Sequence, residues 1–266
     1  MTSRMELADE RIPPNMRGGR FDYLFKRLRN EVVDLTDYIA AELKLSKFVP
    51  REFERHVEPT AIGGVTISGI IDRVDALELG DTLYLRVADY KTGATAFSLS
   101  DVYYGLGMQM LIYLFALTES GENIKPAGVH YTPARDVMLS MPRSSTDEEI
   151  EVKKRARLKG SGIILDEVSE DTVKGVATLE QLGKLARLVG DRLAEVGDAL
   201  REGRTEPDAA LERSSDCQYC GYVSSCGLVR RPEHARNLPK LNDKQFWAMV
   251  DSSDDQSSAE SAEELG

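Results

Sequence analysis

Asp72, Asp89 and Lys91 are two acids and a base whose positions in the sequence predict that they lie close together. The alternate residues from 83 to 87 are apolar, and Asp89 and Lys91 continue that series. Because side chains alternate between the two faces of a strand, the whole series shares one face. Asp72 is expected to share a strand face with the apolar Ile70 and Val74, where a carboxylate is costly unless it is paired or binds a metal. Two strands are therefore expected to bring two carboxylates and one ammonium group to one place.

This combination of groups suits metal-dependent hydrolysis of a phosphodiester. Two carboxylates hold a divalent cation through hard oxygen ligands, and the cation polarises the phosphate and lowers the pKa of a bound water. Lys91 would offset charge that develops on the phosphate oxygens, or orient the water. A cross-strand salt bridge on an amphipathic hairpin accounts for the same three residues, so they leave both interpretations open.

A buried helix is predicted after these strands. Ser100 is the expected N-cap, with Asp101 at the positive end of the helix dipole, and residues 106–117 are apolar on nearly every side. Gln109 and Tyr113 interrupt this pattern one helical turn apart. A buried glutamine needs hydrogen-bond partners. Gln109 is therefore predicted either to act in the site or to tie the helix to a neighbouring backbone.

Hydrophobic periodicity predicts the other elements of the chain. Helices are predicted over residues 21–45, 147–159 and 177–202, and strands over residues 51–59, 129–141 and 162–168. Residues 65–78 and 82–90 are expected to form an antiparallel hairpin across Gly80-Asp81. The alternation of helix and strand predicts an α/β layered structure, with helices on a small mixed sheet.

Three ordered segments resemble the motifs of a known family. GIIDRVD, VADYKTG and GLGMQMLIY are similar to motifs of the RecB-type nucleases of the PD-(D/E)xK superfamily. Within it, the chain most resembles the C-terminal nuclease domain of AddB-type subunits of bacterial helicase–nuclease complexes, from about Phe48 to about Leu228. The resemblance implies a restriction-endonuclease-like α/β fold, with a small mixed central sheet flanked by helices and a C-terminal cysteine-cluster segment.

The same resemblance implies roles for individual residues. The catalytic set would be Asp72, Asp89, Lys91, Gln109 and Tyr113. Asp72, Asp89 and the carbonyl of Tyr90 would ligate Mg²⁺ or Mn²⁺, and Lys91 would be the catalytic lysine. Gln109 and Tyr113 would position the substrate or the lysine. Glu54 is a further expected metal ligand, although an ordinary exposed acid fits its position equally well.

The three cysteines of the chain, Cys217, Cys220 and Cys226, have the spacing C-x2-C-x5-C. Clustered cysteines in a reduced compartment indicate a metal rather than disulfides, and three thiolates suit zinc or an iron–sulfur cluster. Zinc would take His234 as a fourth ligand. In the AddB-type family, this spacing closes a four-cysteine [4Fe–4S] site whose first cysteine lies far upstream of the nuclease core. The chain has no such cysteine and also lacks the family's histidine before the first strand. It is therefore expected to be the C-terminal part of a longer protein, with the fourth ligand outside it.

These patterns predict four segments. Residues 1–18 are expected to be a mobile lead-in, 19–213 the RecB-like nuclease domain, 214–232 the iron–sulfur segment, and 233–266 an acidic, disordered tail. The net charge of −11 includes six acids in residues 251–266, so it says little about binding to DNA. The basic stretch within residues 153–159 is consistent with contact to DNA phosphates and equally with a solvated helix end.

The predicted function is that of a metal-dependent DNA exonuclease domain in double-strand break repair and recombination. It would act on DNA ends and single strands together with an AddA-type helicase–nuclease subunit. Two alternatives remain: a catalytically weakened DNA-end binding or scaffold module, and a stand-alone CRISPR-associated iron–sulfur nuclease. No apolar run is long enough to span a membrane and no signal peptide is recognisable, so a cytoplasmic location is expected. No phosphate-binding loop of the G-x-x-x-x-G-K-[ST] type occurs, so the chain alone is not expected to hydrolyse ATP.

Overall fold

The structure is a computed structural model that describes residues 18–91, 96–119, 121, 123–134, 142, 144–205, 220–226 and 236–252. The chain divides into two compact units, and each is described by itself. Unit 1 comprises Met1–Arg55, Ile71–Ala96 and Glu122–Val176, and unit 2 comprises His56–Ile70, Phe97–Gly121 and Ala177–Gly266.

The described residues form six strands and seven helices. In chain order they are α1 (Gly19–Leu45), β1 (Val49–Ile62), β2 (Val65–Leu79), β3 (Thr82–Lys91), α2 (Leu99–Tyr103), α3 (Gln109–Thr118), β4 (Ile124–Pro133), α4 (Asp147–Arg157), β5 (Gly160–Leu165), β6 (Val173–Ala177), α5 (Leu179–Arg201), α6 (Val223–Cys226) and α7 (residues 243–252). Within this part of the chain, no helix has the length and apolar character needed to cross a membrane.

The strands form one mixed sheet in the order β1-β2-β3-β4-β5-β6. β2 and β3 pair antiparallel, β3 and β4 parallel, and β4 and β5 antiparallel. Val87 of β3, Val129 of β4 and Ile164 of β5 are fully buried, as expected for central strands that are covered on both faces. The mixed sheet with flanking helices confirms the predicted α/β fold.

The β2–β3 hairpin is the part of unit 1 that the sequence predicts best. Its turn contains Gly80 at a φ of 58°, a left-handed conformation that glycine adopts without strain. The ladder pairs Leu79 with Thr82 at the turn and ends with Arg73 opposite Ala88. The predicted antiparallel hairpin is therefore confirmed, and its open end begins immediately after that last pair.

In unit 2, the single helix predicted to start at Ser100 is wrong. Two helices, α2 and α3, occupy this region because Gly105 and Gly107 adopt left-handed φ values of 79° and 62° and break the helix. The N-cap of α2 is Ser98, whose side chain accepts a hydrogen bond from the Asp101 amide. Ser100 lies inside α2, and its Oγ accepts a hydrogen bond from the Leu241 amide at 2.8 Å.

Helix α5 confirms the helix predicted over residues 177–202. Thr178 and Gln181 form a reciprocal capping box at its N-terminus, which satisfies two amides that have no partner inside the helix. The apolar stripe along the helix is buried: it consists of Leu182, Leu185, Val189 and Leu193. Helix α5 contacts α3, and the β1–β2 turn approaches α5 so closely that a Cβ on Gly63 would lie 2.2 Å from the Gly190 carbonyl oxygen.

Several predicted boundaries differ from the structure. β1 and β4 each begin earlier than predicted, at Val49 and Ile124, and β5 ends at Leu165, where a 3-10 turn over Asp166–Val168 follows. β6 was not predicted, because five residues interrupted by a glycine give too short a pattern.

The predicted disordered tail is wrong over residues 243–252, which form helix α7. Asn242 and Gln245 cap this helix reciprocally, and Phe246 and Val250 are buried, with 0% and 3% exposure. The acidic composition near the end of the chain therefore led to a prediction of disorder where a short amphipathic helix forms.

Candidate active site

The carboxylates of the hairpin lie where the β2–β3 ladder stops. The last pair is Arg73 with Ala88, and the next position on each strand is an acid, Asp72 on β2 and Asp89 on β3. Beyond the ladder, the Asp72 side chain takes the place of a backbone acceptor: its Oδ2 accepts a hydrogen bond from the Tyr90 amide at 3.0 Å. Asp72 and Asp89 thus occupy neighbouring positions at the open end of the hairpin in unit 1, and their role as ligands stays a prediction.

Asp89 and Lys91 form an ion pair on the same face of β3. Lys91 Nζ lies 2.8 Å from Asp89 Oδ2, and the two side chains are 26% and 17% exposed. Asp89 Oδ2 is nevertheless a buried oxygen without a hydrogen-bond partner. The two findings differ because an ion pair needs only proximity, whereas a hydrogen bond also needs direction. The Lys91 ammonium thus lies close to Asp89 Oδ2 but outside its hydrogen-bonding directions, so this oxygen keeps lone-pair capacity for another cation.

Tyr131 of β4 borders this ion pair. It stands opposite Asp89 in the parallel ladder, and the Lys91 ammonium lies 5.2 Å from the centre of its ring. Burial, with the negative charge of Asp89, raises the pKa of Tyr131 to about 12. Tyr131 therefore stays neutral near pH 7 and presents an aromatic face to the lysine.

The direction of the Tyr90 carbonyl follows from the strand geometry. The Ala134 amide donates to the Lys91 carbonyl at 2.7 Å, so the backbone groups of Lys91 point toward the β4 side. Adjacent residues of a strand direct their backbone groups to opposite sides. The Tyr90 carbonyl accordingly points toward the β2 side, as its amide does in the bond to Asp72.

The donor set at this strand end fits a hard divalent cation. Two carboxylates and a carbonyl are oxygen ligands of the kind that Mg²⁺ and Mn²⁺ prefer. In the described ranges, no group of three or more His, Cys, Asp or Glu side chains could hold a metal, so the remaining ligands would be the carbonyl and water.

Glu54 is exposed and has a positive φ of 49°. It belongs to no such group, so its proposed ligation gains no support.

In unit 2, Gln109 and Tyr113 contact each other at the start of α3. Gln109 Nε2 donates to Tyr113 Oη at 3.2 Å, and Gln109 is exposed. The prediction of a buried glutamine is therefore wrong, because the helix breaks before it and leaves it on the first turn. The Tyr113 hydroxyl lies against β2, where a Cβ on Gly69 would be 2.2 Å from Tyr113 Oη.

Unit 1 contains a buried cluster of charges that the hydrophobic pattern of the sequence does not predict. Its members are Glu42, Arg73, Asp75, Arg86 and Glu170. Arg73 donates to both Asp75 oxygens at 2.7 and 3.0 Å, and Arg86 donates to Asp75 at 2.8 Å and to Glu170 at 2.8 Å. Burial raises the pKa of Glu42 against the opposing effect of the two arginines. The available signal was Asp75 standing opposite Arg86 in a hairpin whose neighbouring residues are apolar.

Cys220 and Cys226 are exposed and take part in no disulfide. Cys226 ends the short helix α6. Cys217 and His234, the other predicted ligands, lie outside the described residues. The predicted metal cluster of the cysteines thus stays a prediction.

The sequence matches the family described as the PD-(D/E)XK nuclease superfamily over residues 2–227. The chain belongs to this superfamily. It is also 30% identical to an ATP-dependent helicase/deoxyribonuclease subunit of Ruminiclostridium cellulolyticum, in an alignment that covers 88% of this chain and 24% of that protein. The corresponding protein of Thermoanaerobacter sp. is 31% identical, over 87% of this chain and 24% of the relative. That of Acetivibrio thermocellus is 29% identical, over 92% and 26%.

These similarities confirm the resemblance seen in the three motifs of this PD-(D/E)XK chain. The chain is a nuclease-superfamily domain homologous to part of these AddB-type helicase/deoxyribonuclease subunits. It spans about a quarter of the length of the relatives that it matches.

Proposed function

We propose that this chain is a metal-dependent DNA exonuclease domain of a helicase–nuclease subunit that acts in double-strand break repair and recombination. The observation that carries the proposal is the open end of the β2–β3 hairpin. There Asp72 lies beside the Tyr90 backbone, and Asp89 pairs with Lys91. Membership of a nuclease superfamily gives this arrangement its chemistry.

In this proposal, Asp72, Asp89 and the Tyr90 carbonyl hold Mg²⁺ or Mn²⁺. The bound cation supplies Lewis-acid chemistry, which polarises the scissile phosphate and lowers the pKa of a water. Asp72 is already oriented by the Tyr90 amide, which leaves its second oxygen, Oδ1, as the ligand. Asp89 contributes the oxygen that lacks a hydrogen-bond partner.

Lys91 serves the phosphate rather than the cation. Its ammonium pairs with Asp89, and a cation held by Asp89 would compete for the same carboxylate. In this role, the Lys91 ammonium would stabilise charge that develops on the phosphate oxygens, or orient the attacking water. The neutral ring of Tyr131 keeps the lysine on this face of the sheet.

Gln109 and Tyr113 are proposed to position the DNA strand. Their mutual hydrogen bond at 3.2 Å fixes the amide and the phenol relative to each other. The exposed Gln109 retains donor and acceptor capacity for a nucleic-acid backbone or base.

Cys217, Cys220 and Cys226 are proposed to hold a [4Fe–4S] cluster whose fourth ligand lies outside this chain, with zinc as the alternative metal. The relatives are named as subunits of an ATP-dependent helicase/deoxyribonuclease, a name that supports a partner of the AddA type for this chain. DNA ends and single strands would be the substrates.

A DNA-end binding scaffold is the second candidate function. It is favoured by the Asp89–Lys91 ion pair and by the commitment of Asp72 Oδ2 to Tyr90, because groups that satisfy one another can be purely structural. This function predicts binding to DNA ends without cleavage at any cation concentration.

Cleavage assays on linear and circular single-stranded DNA of the same sequence separate these functions. The proposed exonuclease degrades the linear strand in Mg²⁺ or Mn²⁺, leaves the circle intact, and loses activity in Asp89→Ala. Cleavage of the circle would contradict the exonuclease assignment. Normal cleavage of the linear strand by Asp89→Ala would contradict the site, and binding to ends without cleavage would favour the scaffold.

A further inference from the structure

The side chain of Arg73 lies on the face of the hairpin opposite to Asp72, in the buried charge cluster. Its guanidinium is fully buried, and its Nε and Nη2 groups donate hydrogen bonds to the two Asp75 oxygens at 2.7 and 3.0 Å. A guanidinium is a rigid planar fork, so a bidentate partner fixes the direction of its remaining donors. The remaining nitrogen, Nη1, donates to Tyr90 Oη at 3.0 Å.

Asp75, the partner of this fork, is itself held in place by a second arginine. It also accepts hydrogen bonds from Arg86 at 2.8 and 3.1 Å. Arg86 in turn donates to Glu170 at 2.8 Å and lies 4.8 Å from the centre of the Phe48 ring. Arg73 is therefore a fixed point inside unit 1 rather than a mobile surface charge.

Tyr90 is held at two atoms, its side-chain hydroxyl and its backbone amide. Its hydroxyl accepts from Arg73 on the buried, charged face, and its amide donates to Asp72 Oδ2 at 3.0 Å. Its neighbours Asp89 and Lys91 project from the opposite face, because side chains alternate along β3. On the β2 side, the regular ladder has already ended at the Arg73–Ala88 pair. The Asp72 contact thus takes the place of a ladder bond on that side, and the Arg73 contact holds the Tyr90 side chain.

We propose that Arg73 is a positioning residue of the nuclease site and acts through Tyr90. By fixing the Tyr90 side chain, Arg73 sets the position of the Tyr90 amide that orients Asp72 and of the Tyr90 carbonyl on the same side of the strand. The buried cluster is then the rigid support of the cation site, in addition to its part in the core. This inference rests on the proposed function, because it assumes that Asp72 and Asp89 bind a divalent cation.

The test uses Tyr90→Phe, because removal of Arg73 itself would leave the buried Asp75 without one of its two cationic partners. Tyr90→Phe deletes only the hydroxyl that Arg73 contacts. Tyr84→Phe is the matched control: Tyr84 is a buried tyrosine on the same strand and the same face, and its hydroxyl faces Glu167 and Lys125 instead. Arg73→Lys is the second variant, since lysine keeps the charge but lacks the fork.

The readout is the affinity for Mn²⁺ alone, measured by electron paramagnetic resonance without DNA, with Asp89→Ala as the variant that has lost the site. Loss of a contact that orients a metal ligand weakens metal binding by about 10-fold or more. We expect a loss of that size in Tyr90→Phe and Arg73→Lys, and wild-type affinity in Tyr84→Phe. Amide exchange at the end of β3, measured without metal, is expected to accelerate in Tyr90→Phe and Arg73→Lys, which both lose the bond between Arg73 and Tyr90, and to stay at the wild-type rate in Tyr84→Phe.

The outcomes separate this inference from the proposed function. Wild-type affinity in Tyr90→Phe, or an equal loss in Tyr84→Phe, overturns the role of Arg73 while Asp89→Ala still reports a genuine site. If the wild-type chain binds no more Mn²⁺ than Asp89→Ala does, the cation site fails and this inference fails with it.

Discussion

The Asp72 carboxylate accepts a hydrogen bond from the Tyr90 amide at 3.0 Å. Asp72 lies one position beyond the last backbone pair of the β2–β3 ladder. The side chain of Asp72 thereby continues a hydrogen-bonding pattern that the backbone has stopped providing. One of its oxygens is engaged in this hydrogen bond, which restricts the rotation of the carboxylate. Its other oxygen is left with a defined direction, which suits a ligand in a preorganised site.

Asp72→Asn separates this structural bond from the proposed ligation. The asparagine carbonyl can still accept the Tyr90 amide, so the free energy of unfolding should change by less than about 0.5 kcal/mol. Cleavage of linear single-stranded DNA should fall by about 100-fold or more, because the negative charge that holds the cation is lost. Asp81→Asn, which removes an exposed carboxylate in the turn of the same hairpin, is the control for both measurements. Full activity of Asp72→Asn would show that Asp72 only closes the hairpin.

Lys91→Met tests whether the lysine serves the reaction rather than the cation. Methionine has a similar length and no charge, so Mn²⁺ affinity should be retained or increased once the competing ammonium has left Asp89. The cleavage rate at saturating Mn²⁺ should fall by about 100-fold. Lys125→Met is the matched control, because Lys125 lies 5.6 Å from the ring of Tyr84, much as Lys91 lies beside Tyr131. A parallel loss of Mn²⁺ binding and cleavage in Lys91→Met would contradict the assigned role.

Gly69→Ala should displace Tyr113. The added Cβ would lie 2.2 Å from Tyr113 Oη and 2.8 Å from Tyr113 Cζ, so the ring must move and its bond to Gln109 is lost. Cleavage is expected to fall by about 10-fold if this pair positions DNA. Gly190→Ala, where the added Cβ meets no atom within 4 Å, is the control in the same unit.

The steric cause can be checked by melting curves in a second background. In Tyr113→Ala, the addition of Gly69→Ala should no longer lower the melting temperature, because the clashing ring is gone. An undiminished destabilisation there would mean that Gly69 is required for the β2 backbone itself.

His130→Leu should reduce the acid sensitivity of the fold. His130 is fully buried, and neither ring nitrogen has a hydrogen-bond partner. Burial, reinforced by Arg86 and Arg73, lowers its pKa well below 6.5. His130 titrates near 6.5 in the unfolded chain and at a lower pH in the folded chain. Between these two pKa values, the unfolded chain binds more protons than the folded chain does. The contribution of His130 to stability is therefore present above pH 6.5 and is lost as the pH falls.

Urea unfolding of both proteins at about pH 7.5 and about pH 5.5 measures this contribution. Wild type should lose more stability between the two conditions than His130→Leu does. The difference between the proteins is the informative quantity, because Glu42 has a raised pKa and titrates with the opposite sign in both of them. Equal losses in the two proteins would show that His130 finds a partner or becomes exposed.

The sequence predicts the parts of this fold that repeat a simple period. Alternation along β3 places Asp89 and Lys91 on one face. The apolar stripe of α5, with its period of about 3.6 residues, predicts both ends of that helix to within a few residues. The interruption between α2 and α3 is missed because an apolar helical pattern tolerates Gly105 and Gly107, whereas their left-handed conformations break the helix. Backbone conformation at a glycine is decided by its surroundings, which periodicity does not report.

The buried charges are missed for a different reason. A hydrophobic pattern treats arginine as a surface residue, and Arg73 and Arg86 are fully buried because acids from α1, β2 and the loop before β6 surround them. Those acids are far apart in sequence, so only the folded chain shows that they meet. The candidate carboxylate site, by contrast, lies within one hairpin, so the spacing of residues in the sequence is enough to predict it.

The ion pair between Asp89 and Lys91 has a consequence for the order of events in the proposed reaction. Without a cation, Asp72, Asp89 and Lys91 give the open hairpin end one net negative charge, which repels a phosphate. A divalent cation at the same end reverses the sign of that local charge. In the proposed reaction, the hairpin end would therefore attract a DNA strand more strongly once the cation is bound, which favours an order with the cation first and the DNA second.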